Sequence, residues 1–215
     1  EEGTKPERTS FALKPVQTKP NLKAAASDGF TTFKTADTAK QIRDAIASVK
    51  SGAKVAIRVD SGVNVSAVIK TNGRHVKIYA DSVSGHNINR SNYDGALFQV
   101  NGGSLTIGAY DGDGRAKNNL YINGKTEDAS SALILVSSGA LYLNSQIING
   151  YADGDYGGGG GIEVGASGTV YMYNGATIKN CSSSQFGEYA SSSTKTTHGG
   201  AVLVQNGGKF YMYGG

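Results

Sequence analysis

The chain has 215 residues, among them 31 glycines, three prolines and no tryptophan, and its formal net charge is +4. This length suits one sizeable domain, and a single cysteine, Cys181, excludes an internal disulfide framework. No apolar run approaches the roughly 20 residues that a membrane-spanning helix needs. The composition favours short strands joined by tight turns, where glycine adopts positive φ without steric cost.

Positive charge is concentrated in the first half of the chain. Residues 34–90 contain ten Lys or Arg against four Asp or Glu, whereas residues 91–215 contain six against nine. These basic residues are scattered, with no run and no interleaved stacking aromatics. The pattern therefore favours an ordinary solvated surface over a nucleic-acid interface.

Residues 1–28 contain all three prolines and few large apolar side chains. They are predicted to form a disordered leader or linker ahead of a domain that occupies residues 29–215. Because the chain begins with Glu1 and not with Met, we expect that a signal peptide has been removed or that the sequence is an excised fragment.

One amphipathic helix is predicted after a short strand at residues 30–34. It spans residues 35–50, with Thr35 as its N-cap, Asp37 in its first turn and Gly52 just beyond its end. Its apolar residues recur at helical spacing on one face: Ala39, Ile42, Ile46 and Val49. A lone helix ahead of a stack of strands suits a cap that covers the apolar end and the unpaired strand edges.

A strand–turn–strand phrase recurs five times in the rest of the chain. Its turn glycines are 30, 36, 29 and 40 residues apart, at Gly73, Gly103, Gly139, Gly168 and Gly208. A unit of this size, repeated with uneven insertions, indicates a solenoid. Because the unit contains only strands and turns, the predicted fold is all-β: a parallel β-helix of about five coils.

The strands of the repeat carry two further patterns. Alternation in the second strand predicts a buried face with the inward pairs Val76/Ile78, Leu105/Ile107, Leu141/Leu143, Val170/Met172 and Phe210/Met212. A third strand ends in asparagine in four repeats, at Asn89, Asn123, Asn149 and Asn180. Two interpretations stay open: a buried ladder of mutually bonded amides, and turn asparagines in the left-handed region.

Residues 160–180 and 199–215 combine a Gly-Gly strand, a glycine turn and an aromatic-Met strand, as in Gly208-Lys209-Phe210-Tyr211-Met212. This combination resembles the repeats of large bacterial surface proteins in the pectin-lyase-like superfamily. The resemblance covers about residues 30–215. It implies a right-handed parallel β-helix that is secreted or attached to the cell wall, of the adhesin kind common in Gram-positive bacteria. Since Gly215 falls within a repeat, it also implies the N-terminal piece of a longer β-helix.

Carboxylates in two insertions are the candidates for enzymatic chemistry. Polysaccharide hydrolases and lyases of this fold use carboxylates or basic residues on the outside of successive coils, and Asp111, Asp113, Asp153 and Asp155 are the available acids. The arginine bases of lyases lack counterparts after Arg115, and His198-Gly199-Gly200 is only a fragment of the hydrolase signature. The polysaccharide lyase or glycoside hydrolase, acting on an acidic polysaccharide, is therefore the alternative function. No catalytic residue is assigned.

The same insertions provide the candidate metal ligands. Asp153 and Asp155 flank a glycine beside a run of five glycines, so they are candidate ligands of an irregular calcium site. The other interpretation is that these Asp-Gly pairs are ordinary turns. Calcium is the one candidate cofactor.

Tyrosines occupy the outward positions of the later repeats. Tyr142, Tyr171 and Tyr211 alternate with the inward pairs, and Tyr173 and Tyr213 occupy the next outward positions. Flat amphipathic rings on a rigid face suit the binding of sugars or peptides. The other interpretation is a structural tyrosine ladder.

These observations predict an extracellular, adhesin-like or structural β-helix module. It would bind a glycan or a host or cell-surface protein non-covalently through its tyrosines, with no membrane span and no nucleic-acid partner.

Overall fold

A computed structural model describes residues 29–80, 85–108, 119–125, 129–153, 159–184 and 200–214. The predicted leader, residues 1–28, lies outside the described residues, as do Asp111, Asp113 and Asp155. For Asp153 only the backbone is described.

The described residues form one helix and sixteen strands. The helix α1 is Ala39–Ala47. The first eight strands are β1 (Thr32–Ala36), β2 (Lys54–Val59), β3 (Val63–Val65), β4 (Ile69–Lys70), β5 (His75–Tyr79), β6 (His86–Arg90), β7 (Phe98–Ile107) and β8 (Leu120–Asn123). The others are β9 (Ile134–Leu143), β10 (Gln146–Ile148), β11 (Tyr151–Asp153), β12 (Ile162–Met172), β13 (Thr177–Lys179), β14 (Ser182–Ser184), β15 (Val202–Val204) and β16 (Lys209–Met212).

The strands are arranged in parallel sheets. The largest sheet has the order β1-β2-β5-β7-β9-β12-β15, with β4 paired to β7 and β16 paired to β12. A second sheet has the order β13-β10-β8-β6-β3, and β11 pairs with β14. Every pair is parallel. The structure is therefore mostly β with parallel sheets, which is compatible with the predicted all-β class.

Both large sheets bury one face in a common apolar core. From β5 to β13 the strands of the two sheets alternate along the chain, and residues of both sheets join one cluster. Four of the five predicted inward pairs are buried. On the edge strand β16, Phe210 is half-buried and Met212 is 67% exposed, since no described strand lies beyond them.

The helix begins later and ends earlier than the predicted span of residues 35–50, and Asp37 precedes it instead of lying in its first turn. Thr38, not Thr35, is its N-cap: Thr38 and Gln41 form a reciprocal capping box, whereas Thr35 lies in β1. The predicted apolar face is correct, because Ala39, Ile42 and Ile46 are buried. The helix contacts β1, β2, β3 and β4, and so lies at the β1 end of the sheet. No helix within the described ranges is long and apolar enough to cross a membrane.

Three of the five predicted turns are bends within long strands. β7, β9 and β12 run through Gly103, Gly139 and Gly168, with register shifts near these positions in β7 and β12. β7, β9 and β12 each pair with parallel strands on both sides, so hydrogen bonds to neighbouring strands flank each bend. A Cβ at Gly103 would collide with the carbonyl oxygen of Arg74, and a Cβ at Gly139 with that of Gly103. Glycine is needed here because neighbouring backbones meet closely.

Three of the four predicted asparagines form a ladder, but not a buried one, and Asn89 Nδ2 contacts Asn64 Oδ1 at 3.4 Å. Asn149 Nδ2 donates to Asn123 Oδ1 at 3.1 Å, and Asn180 Nδ2 donates to Asn149 Oδ1 at 3.3 Å. Asn180 is exposed, and Asn123 and Asn149 are half-buried. Asn149 and Asn180 also have φ near +55°, at 55° and 53°. Each of the two sequence interpretations is therefore partly correct. These asparagines are turn residues, and their side-chain amides also bond to one another.

Candidate functional site

Tyrosines of three neighbouring strands form one column on the largest sheet. The register pairs Tyr142 of β9 with Tyr171 of β12, and Tyr171 with Tyr211 of β16. The Tyr142 and Tyr171 rings stack with their centroids 5.2 Å apart and planes inclined by 8°, and the Tyr171 and Tyr211 rings with centroids 5.3 Å apart and planes inclined by 13°.

A second column adjoins the first. The Tyr173 and Tyr213 rings stack with their centroids 5.7 Å apart and planes inclined by 24°. The Tyr213 and Tyr171 ring centroids are 6.5 Å apart, and their planes are inclined by 4°. We call these five residues, in two columns, the tyrosine stack. Sequence reasoning named all five, and the structure brings them together.

The stacking geometry determines which part of each ring is accessible. The centroid distances within each column are close to the strand spacing of about 4.8 Å, so successive rings lie over one another along the direction in which strands are added. Tyr171 has a ring on each face, from Tyr142 and Tyr211. The stack therefore presents ring edges and hydroxyl groups, and not the open row of ring faces that a flat sugar-binding platform would offer.

Exposure differs among the five tyrosines. Tyr211 is 38% exposed, Tyr142, Tyr171 and Tyr213 are half-buried, and Tyr173 is only 6% exposed. Tyr173 thus offers little surface to a ligand and supports Tyr213 by stacking. The accessible part of the stack is concentrated at Tyr211, on the edge strand.

Toward the helix end of the sheet, the positions in register with the first column are not tyrosines. Thr106 precedes Tyr142 in register, and Lys77 precedes Thr106. Alternation along the repeat predicts that Thr106 and Asn144 face solvent, but both are buried: Thr106 is 9% exposed and Asn144 1%. Among the described residues, the side-chain amide of Asn144 has no hydrogen-bond partner. Alternation does not predict whether a neighbouring segment covers a given position.

The structure does not test the candidate carboxylates. Asp111, Asp113 and Asp155 lie outside the described ranges, and Asp153 has its backbone in β11. Among the described residues no group of three or more His, Cys, Asp or Glu could hold a metal ion. Calcium binding by Asp153 and Asp155 stays a prediction.

Cys181 is half-buried and hydrogen-bonded. Its Sγ accepts from the Gly150 amide at 3.3 Å and donates to the Lys179 carbonyl at 3.4 Å. Burial raises the pKa of the thiol, and the bond from Gly150 opposes this in part. The side chain is therefore a thiol at neutral pH, which does not favour a nucleophilic role.

Sequence reasoning missed a basic cavity at the other end of the sheet. Arg43 of α1, Lys70 of β4 and Arg74, which precedes β5, line a cavity of about 300 Å³. The excess of positive charge in residues 34–90 was the available signal. It was interpreted as a scattered surface because the three residues come together only when α1 packs beside β4.

Comparison with protein-family models, with curated proteins and with solved structures finds no match for this chain.

Proposed function

We propose that the described domain is a right-handed parallel β-helix that serves as a non-enzymatic binding module on a bacterial surface, with the tyrosine stack as its ligand surface. Two observations support a β-helix. From β5 to β13 the strands of the two large sheets alternate along the chain, and both sheets bury their inner faces in one core. In such a solenoid the inner positions are committed to packing between neighbours, so the outer positions and loops are left for function.

The observation that carries the functional proposal is the stacking of five tyrosines in two adjoining columns. Each ring restricts its neighbours, so the hydroxyl groups are held in a fixed array before a ligand arrives, and little side-chain entropy is lost on binding. Tyrosine combines an apolar ring edge with a hydroxyl that both donates and accepts hydrogen bonds. This chemistry favours a glycan, whose hydroxyl groups can hydrogen-bond to the tyrosine hydroxyls, over an apolar protein surface.

Two double variants separate the role of the hydroxyls from that of the rings. Tyr171→Phe/Tyr211→Phe keeps the stacked rings and removes two hydroxyls. Tyr171→Ala/Tyr211→Ala also removes the rings, and losing about 1 kcal/mol for each would weaken binding roughly 30-fold if the effects add. We expect the Phe variant to lose part of the binding and the Ala variant nearly all of it on a glycan array that includes acidic polysaccharides.

The matched control is Tyr121→Phe, on β8 of the second sheet. It removes a hydroxyl far from the stack and should bind as the wild type does. Equal binding by all variants with unchanged melting temperatures would contradict the proposal and make the tyrosine stack purely structural. New reducing ends or unsaturated products in the glycan samples would also contradict it, in favour of an enzyme.

A further inference from the structure

We propose that the cavity between α1 and β4 is a binding site for a phosphate or sulfate ester group. The cavity measures about 300 Å³ and is lined by Arg43, Lys70 and Arg74 together with the Asn72 side chain, over apolar residues that include Ile46 and Val68. This volume lies at the lower end of the range of small-molecule sites, which begins at about 300 Å³. It accommodates a charged group together with part of the sugar that carries it.

The two arginines are held in place by backbone carbonyls. Arg43 Nη1 donates to the Ala67 carbonyl at 3.2 Å. Arg74 Nε donates to the Val49 carbonyl at 2.7 Å, and its Nη1 to the Asn72 carbonyl at 3.0 Å. A guanidinium has five N–H donors. Each arginine is therefore held by its bonds to backbone carbonyls and still has N–H donors for an anion.

The turn beside the cavity is also fixed. The Asn72 amide donates to Asn101 Oδ1 at 2.7 Å, and Asn101 Nδ2 donates back to Asn72 Oδ1 at 2.9 Å. Thr71 Oγ1 donates to the Gly102 carbonyl at 2.8 Å. These bonds tie the turn to β7 of the next repeat, so the cavity wall is formed before binding and little ordering is required.

The positive charge in the cavity is not neutralised by its neighbours. Among the described residues no carboxylate lines the cavity, and Lys70 makes no ion pair with any of them. Asp44, which adjoins Arg43 in sequence, pairs with Lys40 at 2.6 Å. Three like charges around one space repel one another, and an anion relieves this repulsion.

The number of cations indicates the class of anion. Arginine recognises carboxylate and phosphate through paired N–H donors, and lysine adds a compact point charge. Two arginines and a lysine match an anion with three terminal oxygens better than a carboxylate with two. A phosphate or sulfate ester has this form, whether free or carried on a sugar.

The test is isothermal titration calorimetry, in which the full chain is titrated with three probes: inorganic phosphate, glucose 1-phosphate and a sulfated monosaccharide. We expect saturable binding of at least one probe, weakened by added salt because the charges are screened. Tighter binding of a sugar ester than of inorganic phosphate would identify the ligand as a charged sugar, and equal binding would identify a free anion. Absence of saturable binding for all three overturns the proposal.

The variant for this test is Arg43→Gln/Lys70→Gln, because Arg43 donates to one backbone carbonyl whereas Arg74 donates to two. Losing two charge-assisted contacts should weaken binding at least about tenfold. Lys209→Gln, on β16, removes an exposed lysine at the opposite end of the sheet and should change nothing. If Lys209→Gln weakened probe binding as much as the double variant does, the proposed site would be wrong. It would also be wrong if the folded double variant bound the probe as tightly as the wild type. The outcome is independent of the tyrosine stack, which can be assayed on the same proteins.

Discussion

The two ends of the large sheet differ in how they are covered and in what they present to solvent. At the β1 end, α1 packs against β1 and β2, and Val55 and Ile57 of β2 are fully buried, although Phe33 on the edge strand β1 is 64% exposed. At the β16 end, Val204 is 40% exposed and Met212 67%. The outer column changes in parallel, from Lys77 to Tyr171. The inner columns stay apolar throughout, because the core constrains the residues that face it. The outer positions vary, and both proposed sites use residues outside the inner columns.

The largest expected effect compares two members of the inner columns. Leu141→Ala on β9 removes a fully buried side chain and should lower the free energy of unfolding by about 2–5 kcal/mol. Met212→Ala on the exposed edge should change it by less than about 0.5 kcal/mol. Urea denaturation of both variants measures the difference. A cost for Met212→Ala that matches that of Leu141→Ala would show that the β16 end is covered in solution.

The sequence predicts the inner columns well because alternation follows directly from strand geometry. Val76, Leu105 and Val170 are buried as predicted, without any knowledge of the neighbouring strands. The true N-cap was also readable, since Thr38 and Gln41 have the spacing of a capping box.

Features that depend on neighbouring strands could not be predicted. Whether Gly103 lies in a turn or in a bend depends on the strands that hydrogen-bond on either side. The repeat predicts that Asn123 and Asn149 occupy equivalent positions in the third strands, but the register pairs Asn123 with Ile148, one residue earlier. The burial of Asn144 and the gathering of the basic cavity likewise depend on packing between segments that are distant in sequence.

The second comparison concerns two glycines with positive φ. Gly52, after α1, has φ 78° and no atom within 4 Å of an added Cβ, whereas Gly139, within β9, has φ 85° and lies against Gly103. Both substitutions by Ala should cost about 1–2 kcal/mol for the left-handed conformation. Gly139→Ala should cost about 1–3 kcal/mol more, because the methyl group forces the neighbouring strands apart. Thermal unfolding measures both, and equal costs would mean that the strands separate there without penalty.

The smallest expected effect compares two asparagines on the second sheet. Asn123 Oδ1 accepts from Asn149 Nδ2 at 3.1 Å and from the Lys125 amide at 3.0 Å. Asn123→Ala removes both bonds, and since the site is half-exposed, water replaces part of what is lost. We expect a cost of about 1–2 kcal/mol, below that of a buried ladder.

Asn64 is the matched control, on the edge strand β3 of the same sheet. It is exposed and makes one contact with Asn89 at 3.4 Å, near the limit for a hydrogen bond. Asn64→Ala should therefore change the free energy of unfolding by less than about 0.5 kcal/mol. Amide hydrogen exchange at Lys125 gives a local readout, because only Asn123→Ala removes the acceptor of that N–H. Unchanged exchange at Lys125 in Asn123→Ala would mean that the contact is not formed in solution. The half-exposed asparagines would then contribute nothing beyond their turn conformation.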